Sequence, residues 1–117
     1  MTSAYQTALS GLKAFSTKLQ SNSNNIANAN TDGFKKSMVQ NVAVAPQGVK
    51  AQTQKVSTPG PGVFQQTDAG MELVELSNVD LATELVNMKL NSTMYKANLK
   101  TIESVDDMTA TLLDVKS

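Results

Sequence analysis

The sequence predicts a mainly α fold in which two long terminal helices pair as a coiled-coil-like hairpin around a short irregular or β middle segment. Three observations lead there. Apolar residues recur at alternating steps of three and four near both ends of the chain, and that spacing breaks between residues 34 and 76. Aromatic residues make up only 4% of the 117 positions, a content that suits narrow helix seams better than a wide core.

Ser3 with Gln6 three positions on is a capping-box pattern and starts the first helix. From there Tyr5, Ala8, Leu12, Phe15, Leu19, Asn22 and Ile26 form a heptad seam, which predicts a helix over residues 3–29. Gly11 is a weak point that a helix interior tolerates. Asn22 is the one polar seam residue, of the kind that fixes register at some cost in stability. The helix is stopped by Asn24, Asn25, Asn28 and Asn30, whose side chains bond their own backbone, and by Gly33, which admits positive φ. Phe34 supplies an apolar anchor where the chain leaves the stop.

Even-spaced Met38, Val42 and Val44 and the β-tolerant run from Val49 to Val56 predict strands over 38–44 and 50–57, joined at Pro46-Gln47-Gly48. Thr58-Pro59-Gly60-Pro61-Gly62 forbids helix and reads as turn or extended linker. The second helix is expected over 78–115. Ser77 caps it and Asp80 favours its positive end. Its seam is Leu81, Leu85, Met88, Ser92, Tyr95, Leu99 and Ile102, with a phase slip to Val105, Met108, Leu112 and Val115. Val86, Leu90 and Met94 widen the apolar arc beyond one seam, so an isolated copy leaves a patch in water, which marks a contact surface. Met71, Met88, Met94 and Met108 read as core fillers. The chain is thus one unit, 1–117, divided into a helix and stop (1–33), a middle segment (34–76) and a C-terminal helix (77–117).

Ten Lys balance ten acidic residues, which gives no electrostatic basis for binding nucleic acid or an anionic membrane. The halves differ in sign. Residues 1–60 hold six Lys and only Asp32, whereas residues 61–117 hold four Lys and nine acids, so the two halves attract each other within or between copies. No His and no Cys are present, which removes the commonest general base, metal ligands and nucleophile. The acidic pairs Glu72 with Glu75 and Asp106 with Asp107 have no basic or nucleophilic neighbour in a catalytic pattern. No catalytic residue, metal site or cofactor is therefore expected. The sequence shows neither a signal-peptide pattern nor a run of membrane-spanning length, so no membrane insertion is expected.

The run Asn25-Ile26-Ala27-Asn28-Ala29-Asn30-Thr31-Asp32-Gly33-Phe34-Lys35, preceded by Ala8-Leu9-Ser10-Gly11-Leu12, closely resembles the N-terminal signature of bacterial flagellar rod and hook proteins. Ser77-Asn78-Val79-Asp80-Leu81, Glu84-Leu85-Val86-Asn87-Met88, Tyr95-Lys96-Ala97-Asn98 and Thr111-Leu112-Leu113 resemble the C-terminal signature of the same family. The short middle is closer in size to the proximal rod proteins. The resemblance implies a structural, non-enzymatic subunit of the basal-body rod, assembling through its terminal helices into the axial structure that transmits torque. It implies contacts with other copies and other rod or hook proteins, passage through the flagellar type III export apparatus without a cleaved signal peptide, and a place in the periplasm-spanning rod. The expected subunit contacts are Leu12, Phe15, Leu19 and Ile26 on the first helix and Asn25, Asn28, Gly33 and Phe34 around its end. They continue with Asn78 and Val79 before the second helix and Leu85, Met88, Tyr95, Leu99 and Ile102 along it. A minimal hook-type subunit fits the same signatures. The heptads alone would also suit a soluble coiled-coil adaptor or chaperone, which has no evident need of the two stop-and-start segments.

Overall fold

A computed structural model of the chain describes residues 2–116; the end positions of the expected 1–117 unit lie outside the described residues. The order is α1 (Thr2–Ala27), β1 (Ser37–Ala43), β2 (Val49–Lys55), β3 (Gly62–Thr67), β4 (Gly70–Glu75) and α2 (Leu81–Lys116). The helices are antiparallel, β1 and β2 form a hairpin along α1, and β3 and β4 form a second hairpin. The mainly α expectation and the first pair of strands agree with this order. The middle, however, is two antiparallel hairpins and not an irregular segment, and the linker reading of the Pro-Gly run holds only up to Gly62.

Both helix starts differ from expectation. Ser3 lies inside the first turn of α1, and its hydroxyl donates to Gln47 Oε1 at 2.6 Å without forming a capping box. At α2 the cap is Asp80. Its Oδ1 accepts from Thr83 N, its Oδ2 from the Thr83 hydroxyl, and its carbonyl from Glu84 N. Ser77 is buried and turns the chain just before, accepting Val79 N at 3.1 Å. The helix therefore begins at Leu81, because a capping side chain serves donors two and three residues ahead.

The α1 stop forms as its residue types dictate, two residues earlier than expected. Asn28 N donates to Asn24 O and Asn25 O, Asn28 Nδ2 returns to Asn24 O at 2.9 Å, and Thr31 bonds Asn28 through both its N–H and its hydroxyl. Gly33 then takes φ 71°, a conformation that a β-branched side chain resists.

The buried faces also differ from the predicted seams. On α1 the buried residues are Ala8, Gly11, Ala14, Asn22 and Asn25, a line turned by about 70° from the predicted stripe at 100° per residue. The rotation follows from α1 serving two partners. Ser3, Thr7, Ser10, Ala14, Thr17 and Ser21 step by four and three along the side that meets the first hairpin. Ser10 Oγ accepts Val49 N at 3.2 Å, Ser21 donates to Ser37 O, and Ala14 and Thr17 line a cleft against Val49, Lys50 and Ala51. Small side chains let the sheet approach closely. In β1 the inward positions are Val39 and Asn41, while Met38, Gln40 and Val42 face solvent.

On α2 the inward line is Glu84, Met88, Asn91, Tyr95, Asn98, Ile102 and Val105, all buried or half-buried. It keeps strict steps of four and three, so the expected phase slip after Ile102 disappears once the seam is placed about 60° round from the predicted one. Half of the predicted seam is thereby displaced, and Leu81, Leu85 and Leu99 are exposed. Met71, Met94 and Met108 are exposed as well and fill no core. The inner contact alternates amides and one carboxylate with apolar residues such as Met88, Ile102 and Val105, unlike the continuous apolar seam of a coiled coil.

Candidate functional site

Among the described residues the features with functional content are a buried polar latch and the apolar surface around it. Asn25 is 1% exposed and Glu84 7%. Asn22 Nδ2 donates to Glu84 Oε2 at 2.7 Å, Asn25 Nδ2 donates to Glu84 Oε1 at 3.1 Å, and Asn91 Nδ2 donates to Asn22 Oδ1 at 2.8 Å. Asn25 also pairs with the backbone of Ser37 in both directions, accepting its N–H at 3.0 Å and donating to its carbonyl at 2.8 Å. One network thus fixes α1, α2 and β1 together. A buried carboxylate is tolerable only where donors surround it, and Asn22 and Asn25 supply them.

The second anchor is Asn78, whose N–H and side-chain amide are all engaged. Its N–H donates to Phe34 O, its Oδ1 accepts Lys36 N at 2.7 Å, and its Nδ2 donates to Val56 O and Thr58 O, each at 2.9 Å. Gly33 N donates to Glu75 O at 2.8 Å. Lys35 forms an ion pair with Glu75, and Gly60 N also donates to that carboxylate. The Lys35 hydrogen bond, helped by the Gly60 N–H, holds the Glu75 carboxyl below its ordinary value. The Thr83 hydroxyl and N–H do the same for Asp80. The half-buried Phe34 ring lies under Lys55 Nζ, 5.8 Å from its centroid.

The expected contact residues therefore fall into three groups. Asn25, Asn28, Gly33, Phe34, Asn78 and Val79 sit in latches inside one chain. Leu12, Phe15, Leu19 and Ile26 on α1 and Met88, Tyr95 and Ile102 on α2 are half-buried. Leu85, at 51% exposure, and Leu99 lie open on one flank of α2, with Val86, Leu90 and Met94 open on the other. Sequence reasoning missed the roles of Glu84, Asn91 and Asn98. Their signal was present, since seven positions from Glu84 to Val105 keep heptad spacing, but polar residues are not what a seam search weighs.

A cleft of about 270 Å³ lies beside Glu84, lined by Lys18, Asn22, Lys36, Glu84 and Asn91 among others. Among the described residues no three acidic groups converge to hold a metal ion. Among the described residues no helix is long and apolar enough to cross a membrane.

Comparison with known families assigns the two ends of the chain. Residues 6–35 match the family described as flagella basal body rod protein, and residues 72–115 match flagellar basal body rod FlgEFG protein C-terminal. No curated protein matches the chain closely enough to count as a relative. The two matched segments cover most of α1 with its stop and nearly all of α2 with its Asp80 cap, and both families are of structural proteins. In sequence order and in the elements they occupy, the two matches place the chain in the rod and hook axial protein family of the bacterial flagellum.

Proposed function

We propose that this chain is a short, proximal-rod-sized subunit of the flagellar basal-body rod, self-assembling through its terminal helices into the axial structure and carrying torque by its packing. The observation behind this reading is how much apolar surface the helix pair leaves outside. Amides and a carboxylate share the inside with Ala8, Ala14 and Val105, while Leu81, Leu85, Val86, Leu90, Met94 and Leu99 face water on two flanks of α2. A helix that is apolar on several sides belongs in a larger core. Burying one such side chain contributes about 1.5–3 kcal/mol before association entropy is charged, so neighbouring copies supply what one chain leaves open.

In this reading residues 1–117 act as one unit. Leu85 and Leu99 make direct intersubunit contacts, supported by the half-buried Leu12, Phe15, Leu19, Ile26, Met88, Tyr95 and Ile102. Asn25, Asn28, Gly33, Phe34, Asn78 and Val79 hold the surface in shape. The partners are further copies, other rod and hook proteins and the type III export apparatus, with no nucleic acid, no membrane insertion and no catalysis.

Helicity and apparent mass should rise together with protein concentration, and Leu85→Asp with Leu99→Asp should weaken association by about tenfold or more while leaving the monomer folded. A chain that stays monomeric and fully helical at millimolar concentration would refute self-assembly. A tagged copy found in the hook, and not in the rod, would move the assignment to a hook-type subunit.

A further inference from the structure

The β3–β4 hairpin packs against no other element among the described residues. Freestanding two-stranded hairpins are marginal in water, and this one is also apolar on one face. Phe64 and Leu73 are cross-strand partners at 71% and 65% exposure, with exposed Met71 beside them opposite Gln66. Its position makes it a projection. The molecule is 80 Å long, whereas the 36 residues of α2 account for roughly 54 Å at 1.5 Å per residue. A six-residue hairpin adds about 20 Å, so the hairpin extends the long axis beyond the end where α1 stops and α2 starts. The first hairpin runs the other way, its turn reaching Ser3 and Thr7 through Gln47.

Charge separates the two hairpins as well. Between residues 56 and 88 stand Asp68, Glu72, Glu75, Asp80 and Glu84 with no Lys, and between residues 33 and 67 stand Lys35, Lys36, Lys50 and Lys55 with no acid. The two hairpins do not touch each other within one chain. The solvent face of β1–β2 presents exposed Met38 and Val42, with Lys50 directly across from Val42. That face is complementary to the finger in both respects: apolar for Phe64 and Leu73, basic for Asp68 in the turn at the finger's tip.

We propose that the β3–β4 finger of one copy docks on the outer face of the β1–β2 hairpin of a second copy. Because the two surfaces differ, the contact is heterologous, and such a contact propagates along an axis unless its rotation closes a ring. The inference rests on the self-assembly reading but concerns a surface separate from the α2 leucines, so the two are separable by experiment.

The chain lacks Cys, which permits a clean cross-linking test on the full chain. Leu73→Cys and Met38→Cys copies are mixed under mild oxidation, beside each variant alone. A disulfide-linked mixed dimer in the mixture, well above the homodimer yield of either variant, is expected. Phe64→Ser with Leu73→Ser should weaken association about tenfold, Asp68→Lys and Lys50→Glu should each weaken it, and combining the two charge changes should restore it. Circular dichroism should stay unchanged, since the finger supports no other element. Wild-type association in the Ser variant together with no mixed disulfide would overturn the docking. If Leu85→Asp still weakened association, the assembly reading would survive that result, whereas a wild-type chain that never associates overturns both.

Discussion

Replacing Glu84 by Gln keeps the side chain's shape and changes only what its end atoms accept, so it tests whether the buried latch stabilises the helix pair. The carboxylate accepts from Asn25 at 3.1 Å and from Asn22 at 2.7 Å. A carboxamide offers one oxygen, so one of the two Asn NH₂ groups must face another NH₂. Neither Asn can turn over cheaply, because Asn22 Oδ1 accepts from Asn91 and Asn25 Oδ1 accepts from the Ser37 N–H. One charge-assisted bond is thus lost, worth about 1.5–3 kcal/mol, and a buried donor is left unsatisfied, costing about 1–3 kcal/mol. Relief of the carboxylate's desolvation offsets part of that sum, which leaves an expected loss of about 2–3 kcal/mol. At a few degrees per kcal/mol for a domain of this size the melting midpoint should fall by roughly 8 °C or more. Urea unfolding followed by helical ellipticity reads the change directly. Glu103→Gln, at an exposed pair with Lys100, is the control and should lie within about 0.5 kcal/mol of wild type. Equal midpoints for Glu84→Gln and Glu103→Gln would refute the latch.

Two further outcomes follow from the same geometry. Gly33→Val should cost about 2 kcal/mol, because the position sits at φ 71° where a β-branched residue is strained. Gly11→Ala should be close to neutral, since the helix-propensity gain of about 1 kcal/mol is offset where the new Cβ would stand 2.5 Å from Asn98 Oδ1; adding Asn98→Ala should recover the gain, and paired urea midpoints check both. Glu75 has a depressed folded-state pKa, so its contribution is present above its ordinary value of 4.5 and is lost as pH falls through the lower folded value. Glu75→Gln should therefore flatten that part of the acid unfolding curve, measured by ellipticity against pH.

The termini were legible because their local chemistry decides them. Asn28, Thr31 and Gly33 stop α1 through bonds and a backbone angle that depend on residue type alone, and Pro46-Gln47-Gly48 divides β1 from β2 as its turn residues dictate. The second hairpin was hidden by two prolines and by Val63-Phe64-Gln65-Gln66, which lacks the alternation that marks a half-buried strand. No alternation is needed where neither face is covered. The helix faces were misplaced because a seam search follows leucine. Here Leu81, Leu85 and Leu99 are left outside and Glu84, Asn91 and Asn98 turn inward, a choice set by Asn22, Asn25 and Gly11 of α1 opposite them and invisible to a pattern read one helix at a time. For the candidate site, then, the residue types were readable while their division between intrachain latch and open surface was not.

That division has a consequence for how such a chain uses its stability. An apolar seam between α1 and α2 would hold the pair strongly but tolerate shifts of one heptad, since leucines interchange with little loss. A ladder in which Gly11 receives Asn98, Asn22 meets Glu84 and Asn91, and Asn25 meets Glu84 and Ser37 admits one register, because a shift leaves buried donors and a carboxylate unmatched. The polar inside thus contributes alignment more than strength, and most of the apolar area on α2 remains available to other copies. Stability linked to association in this way rises with concentration. Under the assembly proposed above, a subunit built so would be weakly held alone and firmly held in place.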